Sequence, residues 1–229
     1  RTQHQISTLR QCGSLPAIIF KLSTMSKAII VISILFFSHP LLAQIKIDST
    51  NLKALIDSLY QVDQQCQTDA VEAYQRSGSI DSFKVYEIIE HQTFARHIPI
   101  LKEIITKYGY PTFEKVGKET SSYFFTLIQH SDTDIEFQSK MLALVKKQVT
   151  NKQVKGSDYA MLYDRVQINN GKEQLYGTQV DYDGAGNVFP KRLKDKENVN
   201  KRRSEFGLTT LEEYLQIMTE LHKKQNQRN

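Results

Sequence analysis

Apolar residues recur at three- and four-residue intervals through most of this chain, and after Gly171 the interval shortens to two. From Ser49 to Arg76 the positions Leu52, Leu55, Ile56, Leu59, Cys66 and Ala73 align on one face, predicting a long amphipathic helix. Ser77-Gly78-Ser79 ends it. Asp81 is placed to cap a second helix reaching about His91, and a third is expected from about His97 to Lys107, with Pro99 confined to its first turn. Tyr108-Gly109-Tyr110-Pro111 is a stop. A short turn at Thr112 to Val116 and Gly117 precede a helix from Glu119 to His130, whose apolar face is Tyr123, Phe124, Leu127 and Ile128. Thr133 and Glu136 have capping-box spacing ahead of the next helix, which presents Phe137, Met141, Leu144 and Val145. Ser157 or Asp158 is placed to cap another, with Tyr159, Leu162, Tyr163 and Val166 inward and Asn169-Asn170-Gly171 closing it.

Then Tyr176, Thr178, Val180 and Tyr182 alternate with Leu175, Gly177, Gln179 and Asp181, and Asp183-Gly184-Ala185-Gly186 supplies turn chemistry before Asn187 to Leu193. This predicts a β-hairpin at about 173 to 193, with Pro190 on an edge strand. A helix from Lys196 to Phe206, a stop at Gly207 and a final helix capped at Thr209-Thr210 complete the pattern. The expected fold is mainly α: a single multi-helix domain with one appended antiparallel hairpin. An N-terminal helix within 44 to 80 leads into a helical core over 81 to 222, and 223 to 229 form a polar tail.

The first 43 residues change the reading of charge and address. Met25, Ser26 and Lys27 precede an uncharged run from Ala28 to Phe37, then Pro40 and Leu41-Leu42-Ala43, the pattern of a signal peptide cleaved before Gln44. Residues 1 to 24 precede that methionine and are read as upstream of the start. The apolar run is shorter than the ~20 residues of a membrane span, so export to the periplasm or medium is expected, with an N-terminal membrane anchor as the alternative. From Gln44 onward 26 basic residues face 25 acidic ones. The basic balance of the whole chain therefore belongs to the leader and argues against a nucleic-acid partner. Cys66 is then the one cysteine left, spaced as a small buried hydrophobe.

Candidate chemistry gathers in the second half. His130 ends a helix, where it can cap carbonyls or serve as an acid or base, with Gln129 beside it. Asp164 and Arg165 diverge by about 100° on their helix and need separate partners. Asp164 can clamp Arg202 or Arg203, or orient His130; Arg165 can hold a ligand carboxylate, phosphate or hydroxyl, or a surface acid. Gln174, Tyr176, Thr178 and Gln179 surround Gly177, where a bulge would bring Tyr176 and Gln179 onto one side, and a regular strand would split them.

Asp181 to Asn187 has two acids and a glycine at calcium-loop spacing, but Ala185 and Arg192 stand where ligands belong. His91 and His97 lack zinc spacing, and no phosphate loop, nucleophile elbow or HExxH run is present. No metal or cofactor is expected.

The order Gly109-Tyr110-Pro111, Val116-Gly117, Gln129-His130, Gln138, Asp164-Arg165-Val166, Gln174 with Tyr176-Gly177-Thr178-Gln179, Arg202-Arg203 and Gly207-Leu208 resembles a bacterial family known as domain-of-unknown-function family 6624. The resemblance covers roughly residues 97 to 214. The chain departs from it at Tyr110, where Trp is usual, and at His97 and Ile100, where Asp or Asn is. The resemblance implies that these polar groups belong together and implies no activity. The expectation is an exported ligand-binding or protein-interaction module with a polar site between hairpin and helices, meeting a polar ligand or an envelope protein. The alternative is a hydrolase-like enzyme using His130 and Asp164 as its acid/base pair.

Overall fold

The computed structural model describes residues 49 to 77, 80 to 183 and 186 to 226. The expected leader, the Gly78-Ser79 turn and the Gly184-Ala185 turn lie outside them. Among the described residues seven α-helices and one two-stranded sheet follow in the order expected: α1 Ser49–Ser77, α2 Ile80–Tyr108, α3 Phe113–Gln129, α4 Ile135–Thr150, α5 Gly156–Asn169, β1 Val180–Tyr182, β2 Val188–Pro190, α6 Val199–Glu205 and α7 Leu211–Asn226.

Helix α1 packs on α2 and α3, and α4 packs on α5. Their apolar stripes meet in one core: Leu52 and Ile56 of α1, Leu101 and Ile104 of α2, Phe124 and Ile128 of α3, Val145 of α4 and Leu162 of α5 are all at most 2% exposed. The described residues fall in one compact unit. No described helix is long and apolar enough to cross a membrane.

Three boundaries differ from expectation, each for a local reason. The second and third helices are one, because the inward positions Thr93, His97, Leu101 and Ile104 keep helical spacing straight through Pro99. Pro99 faces solvent on that continuous helix, where the missing amide hydrogen bond and the ring are best tolerated. Helix α4 is capped by Asp134 rather than Thr133: the Asp134 carboxylate accepts the amide of Phe137 at 2.9 Å, and Lys102 donates to it at 2.5 Å. Helix α5 begins after Lys155 with no side-chain cap, leaving Ser157 and Asp158 inside its first turn.

The interruption at Gly117 is as expected. Its φ of 83° and ψ of 163° break α3 into a short turn and a longer helix, a conformation that costs glycine little. At the other end, Thr210 and Glu213 form the capping box of α7, each side chain accepting the other's amide at 3.3 and 3.1 Å.

The hairpin is shorter than predicted. Val180, Asp181 and Tyr182 pair with Pro190, Phe189 and Val188, and residues 175 to 179 are not strand. The ribbon leans on α7, where Tyr182 stacks on His222 with ring centroids 4.3 Å apart. A ribbon of this size needs that support.

Candidate functional site

The 174 to 179 segment is a loop held by side chains where a strand ladder would otherwise run. Asp164, on α5 and fully buried, accepts the amides of Leu175 at 2.8 Å, Tyr176 at 3.0 Å and Thr178 at 2.9 Å, and the Thr178 hydroxyl at 3.0 Å. The opposite edge of the loop is gripped by two arginines and a tyrosine. Arg202 Nε donates to the carbonyl of Leu175 at 2.9 Å, Arg203 Nη1 to that of Tyr176 at 2.6 Å, and Tyr214 donates its hydroxyl to that of Thr178 at 2.9 Å.

Gln174 closes the loop end to end. Its carboxamide accepts the Gln179 amide at 2.9 Å and donates to the Gln179 carbonyl at 2.7 Å, copying a strand partner. Buried backbone polar groups must be answered, and here they are answered by residues far apart in the chain.

Burial alone would push the Asp164 carboxyl well above the usual carboxylate range, and it remains raised although the amides of Thr178, Tyr176 and Leu175 pull it back. Burial lowers Arg203, while Tyr214 and Asp164 act the other way. The Arg203 guanidinium lies 5.0 Å from the Tyr214 ring centre and is 1% exposed. The expected clamp of Asp164 onto Arg202 or Arg203 is thus indirect: the acid takes the loop's donors and the arginines take its acceptors.

Gly177 sits at φ 69°, and a Cβ there would lie 2.8 Å from Leu211 Cδ1 of α7. The glycine both turns the chain and admits the helix. Tyr176 packs inward, edge-on to Tyr163 at 5.7 Å and Phe206 at 5.4 Å. Gln179 is half-buried and donates to the Thr178 hydroxyl at 3.3 Å.

Arg165 points away from this joint, as the helical spacing of Asp164 and Arg165 requires. Its guanidinium makes a two-pronged contact with Asp132 at 2.8 and 2.5 Å. Asp132 also accepts Asn169 and Gln138, and the fully buried Gln138 donates to the carbonyls of Ile128 and Gln129, closing the end of α3. Burial acts to raise the Asp132 carboxyl, but Arg165, Gln138 and Asn169 outweigh it and hold it below its usual range. Gln129 therefore contributes its backbone carbonyl to this network, beside His130.

His130 is not paired with Asp164. Its Nδ1 lies 2.9 and 2.8 Å from the two carboxylate oxygens of Asp63 on α1, and its ring stacks on Phe94 of α2 at 4.6 Å. Asp63 was absent from the expected set; it is 0% exposed. Its spacing from Leu52, Ile56 and Leu59 puts an acid on the core face of α1, a sequence signal for a buried partner. Cys66, one turn on, is half-buried with its thiol 3.5 Å from the Thr93 hydroxyl, rather than wholly buried.

A cleft of 620 Å³ opens where α2 ends, lined in part by Tyr110, Lys115, Lys147 and Gln148, and none of the expected site residues lines it. No group of histidine, cysteine, aspartate or glutamate side chains among the described residues is arranged to hold a metal ion.

The fold and its sites define a mainly helical domain whose buried polar residues build a side-chain-held loop beside a hairpin. The chain belongs to the family of unknown function DUF6624, whose model matches residues 51–225. No curated protein and no solved structure matches it.

Proposed function

We propose that the chain is an exported protein-interaction or ligand-binding module whose binding face lies around the hairpin joint. One observation carries this reading. Asp164, Arg202, Arg203 and Tyr214 hold the joint's loop in place, while Tyr182 and Phe189 on the hairpin and Ile217 and Leu221 on α7 stay 42 to 48% exposed. Pre-ordered aromatic and aliphatic side chains bind at low entropic cost and serve as interface anchors. The partner suited to them is an envelope protein, or a ligand with an apolar face and a polar rim.

The test is site-specific photo-crosslinking in cells, with a benzoyl-phenylalanine at position 189 and a control at Val85. Adducts to a discrete partner from position 189 support the reading, provided Tyr182→Ala weakens them. Equal labelling from both positions, or none from 189, defeats it. Export is tested separately by N-terminal sequencing of the mature protein, expected to begin at Gln44. The hydrolase-like alternative draws no support from the joint, because Asp164 is committed to the loop and His130 to Asp63.

A further inference from the structure

The two edges of the hairpin ribbon differ in what they leave open. In an antiparallel pair, residues that bond to the partner strand alternate with residues whose amide and carbonyl point away from it. The amide of Asp183 donates to the carbonyl of Asn187 at 3.0 Å, and that of Lys191 to the carbonyl of Gln179 at 2.9 Å. Asp181 lies opposite Phe189 midway between these two bonds. Gln179, Asp181 and Asp183 therefore face β2, and Val180 and Tyr182 turn their amides and carbonyls outward.

On β2 the outward positions are Val188 and Pro190. Pro190 has no amide hydrogen to offer, and α7 packs on that strand. The outer edge of β1 is not closed in this way. β2 is its one strand partner, and the outward backbone groups of Val180 and Tyr182 have no backbone partner among the described residues.

The ribbon's faces differ as well. Tyr182 lays its ring on His222 of α7, so Val180 and Tyr182 point their side chains toward that helix. Asp181 and Phe189, being cross-strand partners, share the opposite face. Both are exposed, Phe189 by 45%. An unpaired edge thus carries one free acid at its centre.

We propose that an extended segment of a partner protein, with lysine or arginine at its centre, adds to the outer edge of β1 as a further strand. Val180 and Tyr182 exchange backbone hydrogen bonds with it. Asp181 then sits in a non-hydrogen-bonded pair, where facing side chains approach most closely, and the basic residue answers it. A second copy of this chain is the wrong occupant: antiparallel pairing through both Val180 and Tyr182 sets Asp181 directly against Asp181, and like charges so placed repel. The proposal rests on the hairpin as the binding face and names how that face holds its partner.

The experiment follows backbone amide signals of the isotope-labelled protein by NMR during titration with the peptide acetyl-Thr-Val-Lys-Val-Thr-amide, and with the same peptide carrying glutamate in place of lysine. Saturable shifts centred on the amides of Val180 and Tyr182, in the millimolar range expected of so short a ladder, are the predicted result. The glutamate peptide should bind about fivefold more weakly. Asp181→Lys should reverse that preference, which a loss of structure would not do. Val180→Pro removes an outward amide and no bond to β2, and should abolish the shift at Tyr182. The proposal is overturned by shifts that miss β1, by equal affinity for the two peptides, by a preference unmoved in Asp181→Lys, or by dimerisation through β1 without peptide. If Val180→Pro does not fold, Asp181→Lys decides alone. Crosslinked adducts from position 189 that persist undiminished in Asp181→Lys would remove the added strand and keep the hairpin face, whereas no adducts from either chain would defeat the face itself.

Discussion

The loop joint and the seam of α1 with α2 are both built around a fully buried aspartate, and they differ in how completely it is answered. Asp164 receives three amides and a hydroxyl, and two arginines and a tyrosine take the loop's carbonyls. Asp63 receives one imidazole and two glutamine amides, and a second imidazole, His97 of α2, has an open nitrogen. The closed site holds the loop's conformation, whereas the open one leaves a buried imidazole nitrogen unanswered. A dense cluster of polar residue types therefore marks architecture as readily as chemistry. What separates the two is the count of unanswered donors and acceptors.

Four changes would break or sharpen this contrast. The largest effect belongs to Asp164→Ala, which strands three amides and removes a carboxylate that favours the charge of the buried Arg203. A loss of about 3 to 5 kcal/mol is expected in urea unfolding, a large part of the stability of an ordinary domain. A loss under about 1 kcal/mol would mean that the joint is not structural.

Gly177→Ala comes next, at about 2 kcal/mol, because it combines a positive φ with a Cβ 2.8 Å from Leu211. Adding Leu211→Ala should relieve the steric share and leave the backbone share, which a double-mutant cycle separates.

Asp158 calibrates both sites as a buried acid with little to answer it. Burial lifts its carboxyl to about 6, with Lys155 and Ser157 opposing weakly. A carboxyl raised on folding contributes its stability fully below its unfolded value of 3.8, and that contribution is lost as pH rises through about 6. Asp158→Asn should therefore stabilise by about 2 kcal/mol at neutral pH and by nearly nothing at pH ~4. A gain that is independent of pH would point to packing instead.

The smallest effect is at His97. Burial lowers its pKa from 6.5, with Asp63 pulling the other way. A histidine lowered on folding contributes stability above its unfolded value, and acidification below about 6.5 removes it. His97→Leu should make the melting temperature less sensitive to pH between about 7 and 5, by under ~1 kcal/mol. An unchanged slope would show that His97 takes no proton in that window.

The helical pattern was legible because each helix buries a stripe on the same core, so the three- and four-residue recurrence survives in the sequence. Pro99 misled because a proline reads as a helix start until the face from Thr93 to Ile104 is followed across it. Residues 175 to 179 misled for a deeper reason. Alternation records which side chains are buried, and Tyr176 and Thr178 are buried, but it does not record what the backbone bonds to. Here those partners are Asp164, Arg202, Arg203 and Tyr214, between 11 and 36 positions away.

By itself, then, the sequence determined the helical class, the position of the hairpin, the break at Gly117 and the divergence of Asp164 from Arg165, since all depend on spacing within a few residues. Only the tertiary structure decided who answers whom. It gave His130 to Asp63, spent Asp164 on a loop, and left His97 Nδ1 without a hydrogen-bond partner among the described residues. Hydrogen bonds between side chains distant in the chain are set by how helices pack, and no local periodicity encodes that choice.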